Sequence, residues 1–134
     1  MGPEHKNTIL IVDDDSLCVR FLVNVLCNDY VMFVAKSGRE GINMAMNQQP
    51  DLIILDIEMP GLSGHEVIAA LRHMRETENI PVIFYTSLVA PSDAALGLRL
   101  GAVDYINKEF KPDEIKARIQ SQIQLAKANS SSKR

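Results

Sequence analysis

The sequence contains no tryptophan, three tyrosines, four phenylalanines and two cysteines among its 134 residues. So few aromatics leave little to stack on bases, and the 14 basic residues are scattered and outnumbered by 17 acidic ones. A nucleic-acid or membrane surface needs a net or clustered positive field, so direct binding to either is not expected. Long apolar runs are missing as well. The first, Ile9–Val12, is too short for the core of a signal peptide. Nothing approaches the roughly 20 apolar residues of a membrane span. Met1-Gly2-Pro3 has the glycine of a myristoylation start, but Lys6 stands where Ser or Thr is wanted. Cys18 and Cys27 fall on one expected helix, and at ~100° per residue they face opposite sides, so they cannot pair with each other. Free, buried thiols suit a reducing compartment, and a cytoplasmic location is expected.

What is present is an alternation. Short apolar runs at Thr8–Val12, Val31–Ala35, Leu52–Leu55, Pro81–Tyr85 and Ala102–Ile106 are separated by amphipathic stretches. Several runs are nearly continuous in Val, Ile and Leu, the mark of strands covered on both faces. Between them, Leu17, Phe21, Leu22, Val25 and Leu26 recur at helical spacing and are expected to form one buried stripe. Ser37-Gly38-Arg39-Glu40 and Ser63-Gly64-His65-Glu66 each fit the capping box that opens a helix. Pro91 lies near the start of a fourth helix. Pro112-Asp113-Glu114 opens a fifth, with Ile115, Ile119 and Ile123 as its core stripe. Five β–α units in succession predict an α/β domain, an open doubly wound parallel sheet with helices on both faces. The domain is expected over residues 7–126, with 1–6 and 127–134 as flexible termini or cut linker.

In such sheets ligands sit beyond the carboxyl ends of the strands, so the residues just past each run matter most. Asp13-Asp14-Asp15 follow the first run, Asp56 ends the third, Thr86-Ser87 the fourth, and Lys108 follows the fifth. Two carboxylates about 4 Å apart repel by about 4 kcal/mol at an effective dielectric near 20. A folded chain would not gather several without a cation, and hard oxygen ligands with room for water suit Mg²⁺. Lys108 adds a fixed positive charge and Thr86 a hydroxyl donor. An acceptor carboxylate, a divalent metal and donors aimed at equatorial oxygens are the equipment of phosphoryl transfer. Asp15 has a separate reading, as the cap of the first helix.

Asp13-Asp14 after "ILIV", "DLIILDIEMPGLSG" around Asp56, "PVIFYTS" carrying Thr86 and "GAVDYINK" ending at Lys108 resemble the receiver domain of two-component response regulators, of the chemotaxis-regulator type. The resemblance runs from about Asn7 to Ala126. It implies a flavodoxin-like five-stranded sheet in the order 2-1-3-4-5 with five helices. It further implies Asp56 as phospho-acceptor, with Asp14 and Asp56 as direct Mg²⁺ ligands, Asp13 as a ligand through water and the Glu58 backbone carbonyl as the last protein ligand. Thr86 and Lys108 would act on the phosphoryl group, and Thr86 and Tyr105 would form the switch to the face built by the fourth helix, fifth strand and fifth helix. The implied partner is a sensor histidine kinase or histidine phosphotransfer protein, and the implied chemistry is the domain's own phosphorylation and dephosphorylation, without turnover of a separate substrate.

The chain departs from that family at two positions. Glu109 follows Lys108 where proline is usual, often behind a cis bond. A non-proline cis bond costs about 2.5–4 kcal/mol, so a trans Lys108–Glu109 bond is expected. Glu58, two past the acceptor, places an acidic side chain beside the path of attacking water. Three other functions fit these residues less well. A flavin or nucleotide domain wants a phosphate loop rich in backbone N–H groups after the first strand, and Asp13-Asp14-Asp15 has the wrong sign. A haloacid-dehalogenase-type phosphatase wants Asp rather than Glu58 at its second acidic position, on the first strand of a longer chain. A degenerate receiver used only for docking would lack part of the five-residue set of Asp13, Asp14, Asp56, Thr86 and Lys108, which is intact here.

Overall fold

The computed structural model describes residues 6–87 and 91–132. Five strands, β1 (Asn7–Val12), β2 (Tyr30–Ala35), β3 (Leu52–Leu55), β4 (Val82–Thr86) and β5 (Asp104–Asn107), alternate with five helices, α1 (Ser16–Leu26), α2 (Gly38–Gln48), α3 (Gly64–Arg72), α4 (Pro91–Arg99) and α5 (Pro112–Ser132). The strands form one parallel sheet in the order β2-β1-β3-β4-β5. This is the flavodoxin-like order that the family resemblance implied. The N-terminal segment assigned above as a flexible terminus lies, apart from Lys6, outside the described residues. At the other end α5 remains helical through Ser132.

Side chains alternate across the pleat, and the core divides accordingly. Leu10, Val12, Ile53, Leu55, Val82 and Phe84 pack with Ala45 of α2 and Val67, Ile68 and Leu71 of α3. Ile9, Ile11, Leu52, Ile54, Ile83, Tyr85 and Ile106 pack with Val19, Leu22 and Leu26 of α1 and with the expected Ile115, Ile119 and Ile123 stripe of α5. The helices thus cover both faces, and β1 and β3 are buried on each side.

Local expectations differ from the structure in a few places. On α1 the buried residues are Val19, Leu22 and Leu26, whereas Leu17 is 73% exposed and Phe21 38%. The stripe is rotated because α1 meets the sheet through Val19, and Leu17 and Phe21 are turned to the rim of the strand ends. Cys27 caps the helix and is exposed, while Cys18 is half-buried, so the two free thiols are not both interior. Ser63 and Glu66 form the full capping box. At α2 the Ser37 hydroxyl accepts from the Glu40 N–H, but the Glu40 carboxylate takes the N–H of Lys36 rather than that of Ser37. β5 starts at Asp104 rather than Ala102, because the Ala102 N–H is spent on the Gly97 carbonyl, closing α4.

Candidate functional site

Backbone hydrogen bonds at the strand ends bring the acidic residues together. Val12 and Leu55 are register partners on β1 and β3. One step further, the Asp56 N–H donates to the Val12 carbonyl at 3.0 Å, and the Asp13 N–H donates to the Ala35 carbonyl of β2 at 3.1 Å. The two carboxylates therefore rise side by side where the connections leave β1 in opposite directions, the switch point at which such sheets bind ligands. Asp13, Asp14 and Asp56 can each offer an oxygen such that all three atoms lie within 4.8 Å of one another. Asp13 and Asp56 are buried and Asp14 is exposed.

Lys108 comes in from the other side. Its N–H donates to the Thr86 carbonyl at 3.0 Å, extending the β4–β5 ladder past Thr86 and Asn107. Its Nζ stands 3.6 Å from Asp56 Oδ1 and 3.8 Å from Asp13 Oδ2. These are ion-pair distances, longer than a charge-assisted hydrogen bond. The Lys108–Glu109 bond is trans, like every peptide bond among the described residues. The turn after the lysine is held instead by the Asn107 side chain, which accepts from the Glu109 N–H, and by the Phe110 N–H donating to the Asn107 carbonyl.

One ammonium does not balance this many carboxylates. Burial and the neighbouring Asp13 carboxylate push the Asp56 carboxyl up to about 6, against the pull of Lys108. Burial likewise raises Asp13, although the Asp15 N–H and Lys108 oppose it. At Lys108 burial favours the neutral amine, yet Asp56 and Asp13 outweigh it and hold the pKa above the usual lysine value. Asp13 Oδ1 accepts from the Asp15 N–H at 2.9 Å, but its buried Oδ2 has no hydrogen-bond partner. A buried carboxylate oxygen that accepts no hydrogen bond, and has only a 3.8 Å ion pair to Lys108, fits a hard dication when two further carboxylates stand beside it.

Asp15 caps α1 as expected, its side chain accepting from the Leu17 N–H at 2.9 Å. Thr86 is buried at the end of β4. Tyr105 is half-buried, stands opposite Phe84 in the β4–β5 register and packs on the cluster that faces α2 and α3. Glu58 is exposed on the loop after β3. Sequence reading missed two neighbours of Lys108. The buried Tyr85 ring lies 5.4 Å from its Nζ, and the half-buried Cys18 thiol, 3.4 Å from Asp15 Oδ2, borders the same ammonium. The alternation of β4 places Tyr85 opposite Phe84 and Thr86, which was a usable signal; nothing in the sequence pointed to Cys18.

The family model of the response regulator receiver domain matches residues 9–120. The chain belongs to this family. Among curated relatives, a Vibrio cholerae protein named "Probable cyclic di-GMP phosphodiesterase" is 41% identical over 117 residues, 87% of this chain and 26% of that protein. The Bacillus subtilis alkaline phosphatase synthesis transcriptional regulatory protein PhoP is 38% identical over 114 residues, 84% of this chain and 47% of its own length. Among solved structures, the Vibrio cholerae chemotaxis protein CheY4 superposes with a TM-score of 0.83 at 26% identity, covering 87% of this chain and 98% of that one. The receiver thus spans about a quarter to a half of these curated relatives. No described helix is long and apolar enough to cross a membrane.

Proposed function

We propose that this receiver accepts a phosphoryl group on Asp56 from the phosphohistidine of a sensor histidine kinase or histidine phosphotransfer protein, in a Mg²⁺-dependent reaction. The observation that carries the reading is the gathering of Asp13, Asp14 and Asp56, one buried oxygen of which accepts no hydrogen bond, with Lys108 at ion-pair distance. Asp14 and Asp56 would hold Mg²⁺ directly, Asp13 through water, and the Glu58 carbonyl would add a neutral ligand. Bound there, the ion supplies positive charge that lowers the repulsion between carboxylates and transferring phosphoryl oxygens. An Asp56 carboxylate oxygen attacks phosphorus in line with the donor imidazole. As the new O–P bond forms, the N–P bond breaks and the imidazole leaves with its electron pair. Lys108 pairs with the phosphoryl oxygens, and the Thr86 hydroxyl donates to them.

The domain then acts on itself, and hydrolysis of the acyl phosphate resets it. The exposed Leu17 and Phe21 border a shallow apolar notch with Cys18, Tyr85 and Lys108. This notch supports docking of the donor beside the acceptor, because a donor protein must desolvate the rim to deliver its phosphoryl group. We take residues 7–126 as the working domain, and the free thiols support a cytoplasmic setting. Output through a following domain or a separate protein is expected to use the face of α4, β5 and α5, with Thr86 and Tyr105 linking it to the site.

Acetyl phosphate with Mg²⁺ should phosphorylate Asp56 alone, and Asp56→Asn should abolish the modification. Mass spectrometry that finds the phosphoryl group on another residue of the wild type overturns the reading. Asp14→Ala should weaken Mg²⁺ binding by at least tenfold in a fluorescence or calorimetric titration. An unchanged affinity would remove Asp14 from the ligand set.

A further inference from the structure

His65 is used by none of the chemistry above, yet it packs on the same Phe84 ring as α4. It follows Gly64, whose N–H donates to the Ile57 carbonyl at 2.8 Å within the loop that leaves Asp56. Its ring meets the Phe84 ring edge-on, with centroids 5.4 Å apart and planes at 71°. Phe84 lies two residues before Thr86, on the same face of β4. Phe84 also carries α4: a Cβ on Gly97 would lie 2.7 Å from Phe84 Cε2 and 2.9 Å from Cδ2, so the helix backbone rests directly on the ring. Phe84 is therefore the seat of α4, and His65 braces the same ring. His65 Nε2 is buried and has no hydrogen-bond partner among the described residues. A phenylalanine or leucine would fill the same space without burying an unpaired nitrogen, which is an unfavourable state for any polar group.

We propose that His65 is a positioning residue of the switch: its unpaired Nε2 weakens the packed seating of α4 on Phe84, and the nitrogen becomes hydrated when α4 leaves that seat. The inference rests on the proposed phosphoryl acceptance at Asp56 and deepens it, by naming a residue that sets the balance between two arrangements of α4. A group that is penalised in one arrangement and not in the other shifts the equilibrium by that difference. It also shifts the apparent affinity of any ligand that selects the second arrangement.

The test uses beryllofluoride with Mg²⁺ as the phosphoryl mimic. The wild type should bind it, and the His65 Nε2 nitrogen resonance should move on binding. His65→Phe and His65→Leu should bind it about tenfold more weakly, equivalent to ~1.4 kcal/mol, with Mg²⁺ affinity unchanged. A residue that only fills space would leave the nitrogen resonance unmoved, and that result overturns the inference even if a variant fails to fold. Equal beryllofluoride affinity in wild type and both variants overturns it as well. If the wild type does not bind beryllofluoride at all, the acceptor reading itself falls. Binding by the wild type with indifferent variants leaves that reading standing and removes only the role of His65.

Discussion

Metal-free protein should lose stability as the pH rises from about 4 to 7, and Asp56→Asn should remove most of that loss. At pH 7 the variant is expected to be more stable than the wild type by about 3 kcal/mol. Asp56 has an ordinary value of 3.8 and a folded value of about 6. A carboxyl raised in this way contributes stability that is fully present below about 3.8 and is lost as the pH climbs through about 6, where folding must hold a charge the site disfavours. Asp13 is shifted in the same direction and adds to the trend. Lys108 is raised above an already high value and stays protonated throughout this window. Asp13 repels Asp56 and is relieved by the same substitution, so the difference between the two proteins reports the Asp13–Asp56 pair. Urea unfolding in EDTA at pH 4, 5.5 and 7 measures it, and a difference that stays flat with pH would refute the assignment. Saturating Mg²⁺ should shrink the gap, because a dication favours the charged form.

Gly64→Ala should act in the opposite direction and destabilise the fold by about 3 kcal/mol, with at least a tenfold loss of Mg²⁺ affinity. A Cβ at this position would overlap the Asp56 carbonyl oxygen and lie 2.8 Å from Ile57 Cα. Both obstacles are backbone, so no side-chain rotation relieves them. Either the start of α3 lifts, breaking the Ser63–Glu66 capping box, or the loop carrying Glu58 shifts and misplaces its carbonyl. Gly61 supplies the control. It has φ of +80°, with nothing near its missing side chain, so Gly61→Ala should cost only about 1–2 kcal/mol of backbone strain. Thermal unfolding and Mg²⁺ titration of the two variants together check the argument. Equal effects would mean that close approach to Asp56 is unimportant.

Most of the fold was legible because its signals are local and repeated. β1 and β3 read as buried strands from unbroken runs of Ile, Leu and Val, and α3 announced itself through Ser63 and Glu66. The order of strands was not readable from periodicity and came from the motifs around Asp56 and Lys108. Those motifs also carried the site, since each acidic or basic residue follows directly on a strand end. What the sequence hid depends on how elements turn against one another. Leu17 and Phe21 have core spacing but face the rim, a matter of the rotation of α1 on the sheet. Cys18 reaches Lys108 for the same reason. At β5, Ala102 looked like strand and serves to close α4, a competition for one N–H that composition does not reveal. The trans bond after Lys108 was expected from the absence of proline, and Asn107 replaces proline as the device that turns the chain.

α5 runs back against the strands, so its distal turns lie beside the start of β1. Asn7, Gln124 and Lys127 line one surface cleft, and Lys127 borders Asp51, whose N–H is bound by the Thr8 carbonyl. The points at which polypeptide enters and leaves the domain are thus neighbours, at the opposite end of the sheet from the carboxylates. A polypeptide grafted before Asn7 or after α5 is anchored where it neither shades the Asp56 carboxylate nor strains the loops around it. The domain is in this sense portable: it can be joined to very different companions without disturbing the carboxylate end of the sheet, and its match spans 26% and 47% of two curated relatives.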